Sequence, residues 1–287
     1  MKSLLVVAFV TAFALVFAYF AGAGSVEIMG YNALFFCAWI ALIVNWLAFL
    51  PSAAAKSDKF YDTVGAITYI SVIATASAAA WPLDARGMVI AAMVAVWCVR
   101  LGSFLFRRIH AAGGADSRFE KIRVNPARFL VAWTLQALWV ILTASAALAA
   151  ITAGERAPIG IFFWAGAAIW VLGFAFEAIA DNQKNAFRNV PENKGKFINV
   201  GLWRWSRHPN YFGEITLWTG ILVMAVPVLS GLSWLVVISP IFVTLLLTKV
   251  SGINLQDAQA KQRWGDDREY QAYRAATPML IPRPPRG

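Results

Sequence analysis

Residues 201–214 read Gly-Leu-Trp-Arg-Trp-Ser-Arg-His-Pro-Asn-Tyr-Phe-Gly-Glu, and a long apolar segment begins where this run ends. Trp203, Arg204 and Trp205 suit a headgroup boundary, where amphipathic side chains bury a stem and keep a polar tip in water. Arg207, His208, Asn210 and Glu214 go beyond that need. Polar groups this dense at membrane depth point to a pocket, half in the membrane, that grips an anionic ligand. A second set precedes it. Glu177, Asp181, Lys184 and Arg188 recur at i, i+4, i+7 and i+11, which is one face of a helix. That stripe is either a solvated face laced by i,i+4 salt links or part of a site.

Further candidates lie upstream. Lys59-Phe60-Tyr61-Asp62-Thr63 opens an apolar stretch. Asp62 is either solvated among headgroups or faces a cavity, where a shielded carboxyl gains proton affinity and can act as a general acid. Tyr61 offers an alternative proton, and neighbours on a helix do not share a face. Arg100, Phe104, Arg107 and Arg108 follow one helical face and form a cationic wall. Gln136, among Trp133 and Trp139, is either interhelical glue or a ligand contact. Gly113 and Gly114 are expected to break the helix before a polar loop holding Asp116, Arg118 and Glu120.

The elements that must carry these residues are membrane helices. Of 287 residues 60% are hydrophobic and 14% charged, a composition of integral membrane proteins. About 20 apolar residues span a bilayer as a helix, and eight stretches approach that length: 3–22, 31–50, 61–81, 88–106, 129–152, 158–180, 212–229 and 232–250. Continuous apolar runs exclude a membrane β-barrel, which needs short alternating segments. The expected fold is an all-α bundle of seven to eight transmembrane helices with a C-terminal amphipathic helix. The chain is read as a single membrane domain, 1–287, with scaffold helices over 1–60 and a core over 61–283.

The net charge is +10, concentrated in the connections 107–128 and 181–211 and in the tail after 251. The positive-inside rule puts these basic loops and the C-terminus in the cytoplasm. Membrane topology accounts for the charge, so no nucleic-acid partner is expected. The basic loops also suit anionic lipid or a phosphate-bearing cofactor. The first segment, with Lys2 and Ala21-Gly22-Ala23-Gly24, has features of a secretory signal but is long for one, and we read it as a retained helix. Cys37 and Cys98 lie in apolar spans as small buried hydrophobes.

Several chemistries lack their motifs. There is no Gly-x-Gly-x-x-Gly after a strand, no Gly-x-x-x-x-Gly-Lys-Ser/Thr loop and no His-Glu-x-x-His helix. Two histidines, His110 and His208, are too few for a His-rich metal site, and no metal is expected. A nucleophile elbow is also absent.

The 201–214 run, preceded by a helix with Asp181 and Arg188 and followed by Tyr270 and Arg274 in a basic tail, resembles the steroid 5α-reductase family. The likeness is to bacterial membrane proteins grouped with that family's C-terminal domain. It covers roughly 61–283 and is densest from 177 to 274. The resemblance implies a multi-pass protein of the bacterial inner membrane, with NADPH in the cytoplasmic half and hydride delivered to the C=C of a Δ4-3-oxosteroid or similar lipid enone. By matching positions it implies Asp181, Arg188, Asn210 and Tyr270 or Arg274 as cofactor contacts, with Arg207 and His208 beside the phosphates and Glu214 near the nicotinamide. Arg100 and Arg107 add to the cationic slot that the phosphates need. Asp62 is the nearest counterpart of the family's substrate-side glutamate. Trp97 stands at the approximate position of its tyrosine, so Tyr61 is the substitute proton donor, and Trp97 and Gln136 are expected on the substrate side. The expected partners are membrane lipid and a lipid-soluble enone, and the expected state is a monomer.

Related strings occur in isoprenylcysteine carboxyl methyltransferases, so the alternative is an S-adenosylmethionine-dependent membrane methyltransferase. Relatives of that type carry an acidic pair early in the tail helix, where this chain reads Asn254-Leu-Gln-Asp257. A non-catalytic lipid-binding protein is the third reading.

Overall fold

The computed structural model describes residues 1–111 and 119–285, apart from the side chains of Arg108 and Ala111. The expected break at Gly113 and Gly114, and the loop residues Asp116 and Arg118, lie outside the described residues. The protein is an all-α multi-pass membrane protein, 76% helical. Among the described residues eight helices are long and apolar enough to cross a membrane. The chain forms two compact units. One is Met1–Phe163 with Met224–Ser239, and the other is Trp164–Val223 with Pro240–Gly287.

The first unit holds α1 (Lys2–Ala21), a short hairpin of β1 (Glu27–Ile28) and β2 (Tyr31–Asn32), α2 (Ala33–Ala54), α3 (Tyr61–Ala79), α4 (Ala85–Ala111) and α5 (Pro126–Ile151). The core is α5, whose apolar stretch is 89% buried. Its run of Ala, Ser and Thr lets neighbouring helices approach closely. Its start is fixed locally, since Asn125 accepts from the Arg128 amide and Pro126 opens the helix. Asn45, fully buried, donates to Thr68 at 3.0 Å and ties α2 to α3. Arg86, also fully buried, donates from Nη1 and Nη2 to the carbonyls of Ala157 and Pro158 at 3.1 and 3.0 Å. Asp58, just before α3, is held by Arg123 at 2.7 Å.

The second unit is built on α6 (Ile161–Asn189) and α7 (Pro209–Ala225). The two helices cross at glycines. A Cβ on Gly213 would fall on the backbone of Glu177 and Gly173, one on Gly173 on that of Gly213 and Leu217, and one on Gly220 on that of Gly166 and Trp170. Partners advance along α7 as they retreat along α6, so the helices are antiparallel and in backbone contact. Small residues permit such an approach in a membrane bundle.

The eighth apolar stretch reads as one helix over 232–250 but is interrupted. A 3-10 helix (Gly231–Val237) leads into α8 (Ile238–Leu245), a π-helical turn (Leu246–Val250) and α9 (Ile253–Trp264). Pro240 lacks a donor, and Thr244 and Thr248 bond back to the carbonyls four residues earlier. Both features loosen the regular ladder. The expected single tail helix is two, α9 and α10 (Arg268–Ala276), separated at Gly265 and restarted by the Asp267 side chain on the Glu269 amide at 2.8 Å. Beyond α10 the chain runs extended beside residues 205–207.

Candidate functional site

The run 201–214 is held from three directions, all inside the second unit. The Leu202 amide donates to Gln183 of α6 at 2.9 Å, and the Trp203 indole to the Ala180 carbonyl at 3.0 Å. Tyr273 of α10 donates its hydroxyl to the Trp203 carbonyl at 2.6 Å. The tail supplies the third support. The Arg207 amide donates to Pro278 at 2.9 Å, Ser206 Oγ to Leu280 at 2.8 Å, and the Arg283 amide to Trp205 at 2.9 Å. Ser206 Oγ also accepts from the His208 amide at 3.1 Å, just ahead of α7. Loop backbone so pinned can hold side chains in fixed positions.

Those side chains converge on Asp257 of α9. Arg207 Nη1 lies 3.3 Å from Asp257 Oδ2, Arg274 Nη2 lies 3.6 Å from the same oxygen, and His208 Nε2 lies 3.4 Å from Oδ1. A carboxylate only accepts, so the imidazole proton sits on Nε2. His208 is 4% exposed. Burial lowers its pKa to about 4, against the pull of Asp257 and with a smaller push from Lys184 and Arg207. Its Nδ1 and the Arg207 Nε are buried with no hydrogen-bond partner among the described residues. The site therefore keeps one spare acceptor and one spare donor. The Tyr211 ring stacks on His208 with centroids 5.5 Å apart, and its hydroxyl accepts from Gln256 at 2.5 Å. Lys184 lies over the Trp203 ring at 4.6 Å.

Where α6 and α7 meet, Asn210 Nδ2 donates to Asp181 Oδ1 at 3.1 Å. Asp181 is buried, Arg188 is exposed, and Glu214 is half-buried one helical turn beyond Asn210. Of the expected cofactor contacts, the structure brings Arg207, His208 and Arg274 together around one carboxylate and pairs Asp181 with Asn210. Tyr270 is placed otherwise. It is 5% exposed and packs with Phe197, Trp264 and Tyr273, its pKa raised by burial and by Asp257. This aromatic cluster adjoins the Asp257 group, since Asp257, Arg274 and Arg207 all act on the Tyr270 hydroxyl.

The remaining expected residues lie in the first unit. Arg100 stacks over Phe104 at 5.9 Å, and Arg107 is exposed and bonds back to the Ser103 carbonyl at 3.2 Å. Asp62 is half-buried in the first turn of α3. Tyr61, expected as a substitute proton donor, gives its hydroxyl hydrogen to the Ala132 carbonyl at 2.9 Å, inside a cluster with Phe119, Phe129 and Trp133. That hydrogen is committed to packing. Gln136 donates to the Tyr61 carbonyl at 3.0 Å, which makes it a helix-to-helix clamp. Trp97 is 3% exposed and meets the edge of Tyr69 at 5.2 Å. Asp257 and Tyr211 were not expected as site residues. The available signal for Asp257 was Arg207 and His208 side by side, a pair that at membrane depth needs an acidic partner. Among the described residues no cluster of three or more His, Cys, Asp or Glu side chains could hold a metal ion.

Residues 48–277 match a family described as a protein of unknown function, DUF1295. The chain belongs to this family. The matched range holds all the residues of the Asp257 cluster and the Asp181–Asn210 pair. This DUF1295 protein is also similar, at 27% identity over 176 residues, to an uncharacterized protein of Schizosaccharomyces pombe. The match covers 52% of this chain and 51% of the yeast protein, so the chain spans about half the length of that relative. No solved structure matches the DUF1295 protein.

Proposed function

We propose that this DUF1295 protein is an NADPH-dependent membrane reductase, resembling the steroid 5α-reductases, that reduces the C=C of a Δ4-3-oxosteroid or similar lipid enone. The observation carrying this reading is the gathering of Arg207, His208 and Arg274 immediately before and around the start of α7, beside the Asp181–Asn210 pair. Guanidinium groups in such a set suit the phosphates of a dinucleotide. The residues present fit that group: Arg207 Nε is a spare buried donor for a phosphate oxygen, and His208 Nδ1 a spare acceptor for a ribose hydroxyl or an amide. NADPH, when bound, supplies the hydride.

The chain's own residues would do the rest. Arg207, Arg274 and exposed Arg188 hold phosphate charge. Asp181 and Asn210 offer an acceptor and a donor for amide or hydroxyl groups, with Glu214 one turn further along α7. The resemblance makes Asp62 the candidate acid for the carbonyl oxygen, where negative charge develops as hydride arrives. It takes that role over Tyr61 because the Tyr61 hydroxyl hydrogen is already engaged. The basic connections support a cytoplasmic C-terminus, and the resemblance to bacterial membrane proteins favours the bacterial inner membrane as its location.

The methyltransferase reading gains one observation, the carboxylate of Asp257 in the cluster, since a carboxylate attracts a sulfonium cation. One experiment separates the two. Purified protein is incubated with NADPH and a panel of lipid enones while nicotinamide absorbance is followed. Enone-dependent loss of absorbance is expected. Stabilisation by S-adenosylmethionine, with no effect of NADPH, overturns the reductase reading.

A further inference from the structure

Among the described residues Asp58 and Asp257 both meet arginine, and they meet it differently. Asp58 lies 2.7 Å from Arg123, its side chain 1% exposed. That is the short contact of a permanent charge-assisted bond. Asp257 touches three partners, but at 3.3, 3.4 and 3.6 Å, and its side chain is 22% exposed. Among the described residues no contact at this carboxylate reaches the 2.7–2.9 Å range of a tight ionic bond. At the same place Arg207 Nε and His208 Nδ1 are buried and unpartnered. One carboxylate thus leaves part of the hydrogen-bonding capacity of Arg207 and His208 unused.

We propose that Asp257 determines which anions this site accepts, standing as an internal substitute where a ligand's phosphate group binds. This rests on the reading of the cluster as a cofactor-phosphate site. A ligand must bring more charge and more acceptor oxygens than one carboxylate to turn it out. A diphosphate does so, while carboxylates and single phosphates of the cell exchange one weak set of contacts for another. The exchange needs little motion. Helix α9 is anchored by two side chains, Gln256 donating to the Tyr211 hydroxyl and the Trp264 indole to the Gly195 carbonyl. Asp257 sits between these anchors and is already part-open to solvent, so rotation about its Cα–Cβ bond suffices.

The test is the affinity of the full-length detergent-solubilised protein for inorganic pyrophosphate and for NADPH, by titration calorimetry without divalent metal. Wild type is compared with Asp257→Asn and with Asp257→Ser, which removes the same charge through a different side chain and guards against a defect of one variant. Loss of the competing charge is expected to tighten pyrophosphate binding roughly tenfold or more in both variants. It also admits monophosphate, which wild type binds poorly. Unchanged affinity in both overturns the proposal. So does weaker binding that Asp257→Glu restores, because Asp257 is then a positioning carboxylate that holds the arginines in place. If pyrophosphate tightens but NADPH binds neither form, the substitution role stands and the dinucleotide reading falls. If NADPH binds all forms equally, the reverse holds.

Discussion

Asn210 of α7 donates to Asp181 of α6 across 3.1 Å, at the mouth of an antiparallel helix pair whose backbones touch at Gly213 and Gly173. The bond fixes the rotamers of two side chains that the proposed cofactor contacts require. Asn210→Ala is expected to raise the NADPH dissociation constant, as is Arg188→Ala. The coupling between Asp181→Ala and Asn210→Ala in a double-mutant cycle is expected at about 0.5–3 kcal/mol. Calorimetric titration of the single and double variants checks both, and unchanged affinity in Asn210→Ala and Arg188→Ala removes the assignment.

Gly213→Ala puts a methyl group onto the Glu177 backbone. Overpacking at a close helix crossing costs roughly 1–3 kcal/mol. Gly160→Ala, where an added Cβ meets nothing within 4 Å, is expected to be neutral. Thermal unfolding in detergent compares them, and equal midpoints would count against a rigid α6–α7 seam.

His208 predicts an acid-sensitive fold. Its folded pKa is lowered to about 4 from an ordinary 6.5, so the folded protein keeps it neutral while the unfolded chain takes up a proton. Stability is full above pH 6.5 and is lost as pH falls toward 4, by about 3 kcal/mol. His208→Gln is expected to remove this component. Unfolding midpoints of both proteins across that pH window provide the comparison, and parallel curves would contradict it.

Asp62 and Tyr61 are adjacent, and their substitutions are expected to part company. Asp62→Asn slows turnover more than it weakens NADPH binding. Tyr61→Phe leaves turnover near wild type and lowers stability by about 1 kcal/mol, the worth of its bond to the Ala132 carbonyl. Enone-dependent turnover and unfolding midpoints resolve the pair. Full activity in Asp62→Asn would exclude it as the acid.

Membrane helices were legible because twenty consecutive apolar residues have few other uses. The extension of α6 to Asn189 was legible in the spacing of Glu177, Asp181, Lys184 and Arg188. The eighth stretch was not, because hydropathy does not register the missing donor of Pro240 or the back-bonding of Thr244 and Thr248. Asp257 was hidden for a different reason. It belongs to an exposed helix with only Ile253 buried, and nothing local ties it to Arg207, fifty positions away. Tyr270 shows a feature that spacing does not reveal: its ring packs with Phe197, Trp264 and Tyr273 while Asp257 acts on its hydroxyl.

The extended segment that receives the Arg207 amide at Pro278 and returns Arg283 to Trp205 emerges from the ribosome well after α7 has entered the bilayer. Until then the amide of Arg207 and the carbonyl of Trp205 lack these partners. The corner around Arg207 therefore sets later in synthesis than the α6–α7 pair, and nascent chains stalled before this segment are expected to be inserted with that corner still loose.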